Sequence, residues 1–260
     1  MKNDFLEILI SAVKAGGKAA RSVVPSSGII PKEGRGNFVT AGDLASEKAV
    51  LKIIKKHFPK DAILSEETES SLSNSELLNL NRLWVLDPID GTNNFRNYRH
   101  YSGVSLGYVE KGVILAGAVY DFYHDELFYG KKGKGAYLND QPIHVGTQKD
   151  FTQATIATDN SYVPEETRQI IKLLLKIDPF PFMLMRGSGA LMMCEIASGR
   201  TDLYFHTVLK PWDNAAGFLI IEEAGGIVRG LKGENINFLS PTVVAGNREL
   251  VKQFVERIRS

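Results

Sequence analysis

The most constraining stretch of this chain is Leu83-Trp84-Val85-Leu86-Asp87-Pro88-Ile89-Asp90-Gly91-Thr92-Asn93-Asn94-Phe95. The apolar run from Leu83 to Leu86, bounded by polar residues, reads as a buried strand. It runs into two carboxylates three residues apart. Pro88 removes a backbone donor and fixes one φ angle, which predicts that the chain leaves the strand sharply there. Asp90-Gly91-Thr92 reads as a turn that opens a helix, and backbone N–H groups at a helix start favour an anion, phosphate above all. Carboxylates suited to hard cations and a seat for phosphate thus fall within six residues, which points to metal-dependent phosphate chemistry. Asp-Gly alone is a common turn; the constraint lies in the whole string.

With 260 residues, the chain suffices for one large domain or two small ones sharing a core. Hydrophobic residues at 43% and charged residues at 23% exclude a disordered chain. A net charge of +1 argues against a strong nucleic-acid or membrane-surface field, so no nucleic-acid and no membrane partner is expected. The single Cys194 excludes an intramolecular disulfide framework and suits a reducing compartment. The start, Met1-Lys2-Asn3-Asp4 followed by an amphipathic segment, reads as neither signal peptide nor membrane span, so a cytoplasmic protein is expected.

The pattern predicts helix over residues 4–24, where Phe5, Ile8, Leu9, Ala12 and Ala15 repeat at three and four; Gly16-Gly17 would let another element approach. Residues 25–38 read as loop, with Lys32, Glu33 and Arg35 giving mixed charge: a surface connection or a flap over a site. Asp43 suits an N-cap for a helix over 44–57. A short strand, 62–65, precedes Glu66-Glu67, and residues 68–82 read as a polar surface excursion. The basic and aromatic run 96–101 is a weak nucleic-acid signal. Residues 102–145 alternate or run apolar between turns and predict an antiparallel meander.

The second half changes rhythm. Strands are expected at 154–158, 182–185, 203–205 and 242–245, alternating with helices at 164–176, 188–198, 214–224 and 249–258. The boundary between the halves falls near 145–152, dividing the chain into 1–148 and 149–260. Pro211-Trp212-Asp213-Asn214-Ala215-Ala216-Gly217 puts small residues at a helix start, allowing close packing; Asp213 there reads as an N-cap or as a site residue.

The string from Asp87 to Thr92 resembles the central signature of the inositol monophosphatase family, Asp-Pro-(Ile/Leu)-Asp-Gly-Thr. Trp212-Asp213-Asn214-Ala215-Ala216-Gly217 resembles the family's second signature, Trp-Asp-x-Ala-Ala-Gly. Val39-Thr40-Ala41-Gly42-Asp43, the Glu66-Glu67 pair twenty-one residues before Asp87, and Gly187-Ser188 match further family elements, so the resemblance covers nearly the whole chain. It implies an α+β fold, a layered α-β-α-β-α sandwich of the sugar-phosphatase kind, with a large, mainly antiparallel sheet followed by a smaller α/β half. It implies a phosphatase with two or three Mg²⁺ held by Glu66, Asp87, Asp90, Asp213 and the Ile89 carbonyl. Glu66 and Thr92, the latter polarised by Asp43, would activate water. Gly91, Thr92, Asn93, Gly187, Ser188, Gly189 and His206 would bind substrate. Lithium sensitivity and a homodimer are also implied.

The physics fits that donor set. Phosphate monoesters hydrolyse extremely slowly in water, and Mg²⁺ offsets the repulsion between a dianionic substrate and an anionic nucleophile. Clustered carboxylates without cations would repel each other and raise their pKa values. The partner expected is a small phosphorylated metabolite. Where inositol monophosphatases have a glutamate that bonds inositol hydroxyls, this chain has His206, which cannot accept two hydroxyl protons; a plain strand-end role is the alternative. Relatives of the fold act on fructose 1,6-bisphosphate, 3′-phosphoadenosine nucleotides, histidinol phosphate or NADP, and Arg186 and Lys210 read as a second anion site or as solvated surface. A non-catalytic phosphometabolite sensor is the contrasting class; retention of Thr92, Asp43 and Glu66 speaks against it.

Overall fold

The computed structural model describes residues 4–32, 37–68, 71–180 and 182–259. Glu33 and Arg35 of the expected flap, and Met1 to Asn3, lie outside them. The first helix, α1 (Phe5–Arg21), is capped by Asp4, whose carboxylate accepts from Leu6 N at 3.1 Å. Part of the expected loop is ordered as a ribbon: β1 (Ile30–Pro31) pairs antiparallel with β2 (Phe38–Val39). Next comes α2 (Ala41–His57), which starts earlier than expected. Thr40 is its N-cap and Asp43 sits three residues in, accepting from Thr40 N at 2.8 Å, so Asp43 closes a capping box and is not itself the cap.

A parallel pair follows, β3 (Ala62–Ser65) and β4 (Leu83–Asp90), joined through a segment expected as surface excursion that contains a short helix, α3 (Asn74–Asn79). β4 does not end at Leu86. Its pairing to β3 stops at Ser65↔Leu86, its register with β5 (Gly103–Glu110) shifts between Asp87 and Asp90, and Pro88 sits inside that irregularity, where no ladder bond is lost. A one-turn helix, α4 (Thr92–Arg96), leads to β5, and β6 (Val113–Asp121), β7 (Glu126–Lys131), β8 (Ala136–Leu138) and β9 (Gln141–Ile143) complete a meander. The seven-stranded sheet runs β3-β4-β5-β6-β7-β8-β9, antiparallel except at β3-β4.

The second half holds β10 (Thr155–Ala157), α5 (Pro164–Ile177), β11 (Phe182–Leu184), α6 (Gly189–Ala197), β12 (Leu203–His206), α7 (Pro211–Glu223), β13 (Ile227–Arg229), β14 (Val243–Gly246) and α8 (Arg248–Arg259). Its five-stranded sheet has the order β11-β10-β12-β14-β13, with β14 antiparallel to both neighbours.

Three apolar clusters stack the layers. Leu9, Val13, Val50 and Ile54 of α1 and α2 cover Leu86, Val104 and Leu106 on one face of the large sheet. Met192, Met193, Phe218 and Ile220 of α6 and α7 fill the space between the two sheets, and Ile170, Leu250 and Phe254 of α5 and α8 cover the far face of the smaller one. The result is the expected five-layer α-β-α-β-α sandwich. The small residues of α7 allow the close packing that the sequence suggests: a Cβ on Gly117 of β6 would lie 2.7 Å from Ala216 Cα, so helix and sheet meet at backbone distance. Among the described residues, no helix is long and apolar enough to cross a membrane.

Candidate active site

The irregular end of β4 opens into a cleft of about 1560 Å³ between the large sheet and the second half. Asp87, Asp90 and Asp213 each place one carboxylate oxygen there, all within 4.8 Å of one another. None pairs with a lysine, arginine or histidine among the described residues. Burial, then the charges of Glu66, Asp90 and Asp213, pushes the Asp87 carboxyl well up. Burial and Asp90 do the same to Asp213, and burial raises Asp90 to about 6 against the opposing bonds from Ser188 and Ala190. Two buried acids and a half-buried third, with no ion pair among the described residues and only oxygen donors, fit hard divalent cations of the Mg²⁺ type; no described cysteine or histidine joins them, which disfavours zinc.

Asp87 Oδ1 accepts from Ile89 N at 3.1 Å within its own strand, whereas Asp90, Asp213 and Asp43 are each held by a backbone N–H at a helix start. Asp90 Oδ2 accepts from Ala190 N at 2.7 Å and from the Ser188 hydroxyl at the start of α6. Asp213, expected as an N-cap, is instead the third residue of α7 and accepts from Lys210 N at 2.7 Å. Asp43 is fully buried behind Thr92: its Oδ2 takes Thr40 N at 2.8 Å and Thr40 Oγ1 at 2.5 Å, and its Oδ1 lies 3.1 Å from Thr92 Oγ1. Burial raises Asp43 to about 6. Thr92 Oγ1 also lies 2.9 Å from the Ile89 carbonyl, so its single hydrogen has two competing acceptors.

Glu66 lines the cleft but stays outside the three-acid group. Lys32 Nζ holds it at 2.9 Å and Glu67 at 2.7 Å. Burial raises the Glu67 carboxyl to about 7, against the pull of Lys32. The sequence does not reveal this clamp, because Lys32 adjoins a two-residue strand and lies thirty-four residues from Glu66.

Gly91 caps α4 in the left-handed region at φ 85°, with a Cβ position only 2.9 Å from Tyr101 O; glycine alone fits. Gly91, Thr92, Asn93, Gly187, Gly189 and His206 all line the cleft. Ser188 departs from the expectation: it is 1% exposed and gives its hydroxyl to Asp90, so it positions that acid. His206 is buried, which lowers its pKa to about 4. Arg186, an anion candidate by sequence, is engaged by Glu195 and stacks 3.8 Å over the Tyr101 ring, whereas Lys210 makes no ion pair among the described residues. Sequence reasoning misses Asp159, which follows β10 into the cleft and which burial raises to about 6. Its only sequence signal is a polar triplet after a strand.

Comparison with known proteins agrees with this geometry. A sequence profile described as the inositol monophosphatase family matches residues 1–260. Inositol monophosphatase 1 of Solanum lycopersicum is 34% identical over 263 residues, covering 98% of this chain and 95% of that protein. Among solved structures, the extragenic suppressor protein suhB from Bartonella henselae superposes with a TM-score of 0.90 at 27% identity, covering 98% of each chain. The crystal structure of inositol monophosphate bound SaIMPase-II superposes with a TM-score of 0.82 at 26% identity, covering 97% of this chain and 92% of that one.

Proposed function

Because the chain belongs to the inositol monophosphatase family and is a phosphoric monoester hydrolase of that kind, we propose that it cleaves a small, inositol-phosphate-like monoester using two or three Mg²⁺. The observation that carries this reading is the convergence of Asp87, Asp90 and Asp213, none of them in an ion pair with a described residue. With Glu66 and the Ile89 carbonyl, they are the groups that would hold the ions. When bound, Mg²⁺ supplies charge neutralisation for the substrate dianion, acidification of water and stabilisation of the leaving oxygen.

The chain's own residues do the rest. Thr92 donates its hydroxyl hydrogen to Asp43, which leaves the Thr92 lone pairs free to orient an attacking water. Glu66, steadied by Lys32, is the acceptor on the other side of that water. Gly91, Thr92 and Asn93 form the wall that seats the phosphate, with Gly187 and Gly189 opposite. Asp213 and His206, from residues 149–260, face the carrier end, while residues 1–148 bring the remaining ligands; this division of labour is the sense in which the chain has two parts. The inositol monophosphate bound to SaIMPase-II, a structural relative, supports the substrate class. A homodimer and lithium sensitivity belong to the same reading by family likeness, and a cytoplasmic location by the single cysteine, which suits a reducing compartment.

Phosphate release from inositol 1-phosphate, with Mg²⁺ titrated from zero, tests it. Expected is activity that is strictly Mg²⁺-dependent in the wild type and lost in both Asp87→Asn and Asp213→Asn. Full activity in EDTA, or in both variants, would falsify the reading.

A further inference from the structure

His206 ends β12 with 5% of its surface exposed, and that remnant lies in the cleft. Its Nδ1 lies 3.0 Å from Val208 N. A backbone N–H can only donate, so Nδ1 must offer a lone pair. Three properties follow from this one bond. The ring is neutral, since a charged imidazole has no lone pair. The proton sits on Nε2. The ring cannot be turned over, since that would set a carbon against the Val208 N–H. The Tyr204 ring lies nearly parallel, at 15° and 6.5 Å between centroids, and further confines it. No hydrogen bond engages Nε2–H among the described residues, and His206 lines the cleft.

We propose that His206 is a fixed hydrogen-bond donor that selects, among small phosphate monoesters, those whose carrier presents an anionic oxygen acceptor, a carboxylate or a second phosphate, over those presenting only hydroxyls. The inference rests on the phosphatase reading above and ranks inositol monophosphate, whose carrier presents only hydroxyls, as a substrate that is accepted but less favoured than an anionic carrier of similar size. Lys210, in the same cleft and without an ion pair among the described residues, adds a positive charge on that wall. Glu166 also lines the cleft; it takes the Ser161 hydroxyl on one oxygen, and its negative charge acts on the His206 ring, so the preference of that wall for an anion is carried by the His206 donor and Lys210 against it. A hydroxyl can accept from Nε2–H too, but a hydrogen bond to a charged acceptor is worth about 1 kcal/mol more, roughly a fivefold to tenfold preference.

The test uses matched pairs that differ only at the far group: 2-phosphoglycerate against glycerol 2-phosphate for the carboxylate, and 1,3-propanediol bisphosphate against 3-hydroxypropyl phosphate for the second phosphate. The wild-type protein, loaded with Mg²⁺, is expected to favour the anionic member of at least one pair fivefold or more in kcat/KM, mainly through KM. His206→Glu turns a donor into a charged acceptor and should reverse that ratio, and His206→Leu, which removes the donor without adding a charge, should bring it near unity. Independently of activity, ¹⁵N NMR of the histidine side chains at pH 7.5 should give His206 as the neutral, Nε2-protonated form. A cationic ring, an Nδ1-protonated ring, or a ratio equal in wild type and both variants overturns the proposal while leaving the phosphatase reading standing. Hydrolysis of no ester at all overturns both.

Discussion

Asp43→Asn should make the metal-free protein more stable and the enzyme inactive, and both effects have one cause. The Asp43 carboxylate is fully buried, and burial moves its pKa from 3.8 to about 6. That is roughly two units, or about 3 kcal/mol held against the folded state once the group is ionised. Since the folded pKa lies above the unfolded one, the folded protein binds the extra proton between pH ~4 and ~6. Wild-type stability therefore falls as pH rises through that window and stays low above it. Asparagine imitates the neutral acid. Its carbonyl can take Thr40 N–H and the Thr40 hydroxyl, and its amide can donate to Thr92 Oγ1, which then gives its hydrogen to Ile89 O at 2.9 Å. Every partner stays satisfied, so no new penalty offsets the gain. That same amide occupies the Thr92 lone pair an attacking water would need. In EDTA, thermal midpoints of wild type and variant should agree near pH 4 and separate to roughly 6–12 °C at pH 7.5, at about 2–4 °C per kcal/mol, while kcat falls at least about a hundredfold. A gap that is the same at both pH values, or a variant less stable at pH 7.5, would refute the burial argument.

Mg²⁺ should stabilise the protein more at pH 8 than at pH 5, because the raised pKa values of Asp87, Asp90 and Asp213 mean that protons compete for the same oxygens at the lower pH. At a hundred times its Kd the ion is worth about 2.7 kcal/mol, read as a shift in melting temperature, and an equal shift at both pH values would count against a carboxylate site. Thr92→Val keeps the shape and removes the hydroxyl that faces Asp43, so kcat should drop about 10²-fold or more with melting temperature little changed, whereas Thr92→Ser should stay within about tenfold of wild type. Gly117→Ala would set a Cβ 2.7 Å from Ala216 Cα and 2.9 Å from Ala216 O, backbone atoms that cannot swing aside; urea unfolding should show a loss of about 1–3 kcal/mol.

The parts of the site legible in the sequence are those carried by local strings. Asp87 and Asp90 sit on one strand end, and Asp213 sits at the start of a helix whose small residues announce close packing. The five layers are legible too, because a meander of alternating residues followed by strands and helices in turn admits few arrangements. Three departures share a different origin. Pattern alone makes caps of Asp43 and Asp213, although Thr40 and Lys210, three residues earlier, hold that place. Pattern alone also ends β4 before Pro88, yet the strand continues past it, because only the neighbouring strands decide which backbone groups need partners. The Lys32 clamp on Glu66 and Glu67 joins elements more than thirty residues apart. Periodicity reports which face of an element is buried and is silent on which element covers it.

The displaced caps lead to the principle of the site. Asp43 accepts from Thr40 N at the start of α2, Asp90 from Ala190 N at the start of α6, and Asp213 from Lys210 N at the start of α7. α2 packs on one face of the large sheet and α6 and α7 on the other, so three helix starts from both sides converge on the irregular end of β4. A helix start carries partial positive charge and unpaired N–H groups. Each of the three acids is therefore steadied through one oxygen by backbone, which limits the cost of gathering buried carboxylates before any cation arrives. An acid in the third helical position does this better than an acid at the cap, since it bonds the cap's own N–H while the rest of its carboxylate projects beyond the helix end. For Asp213 that projection meets Asp87 and Asp90 in the cleft; for Asp43 it meets the Thr92 hydroxyl.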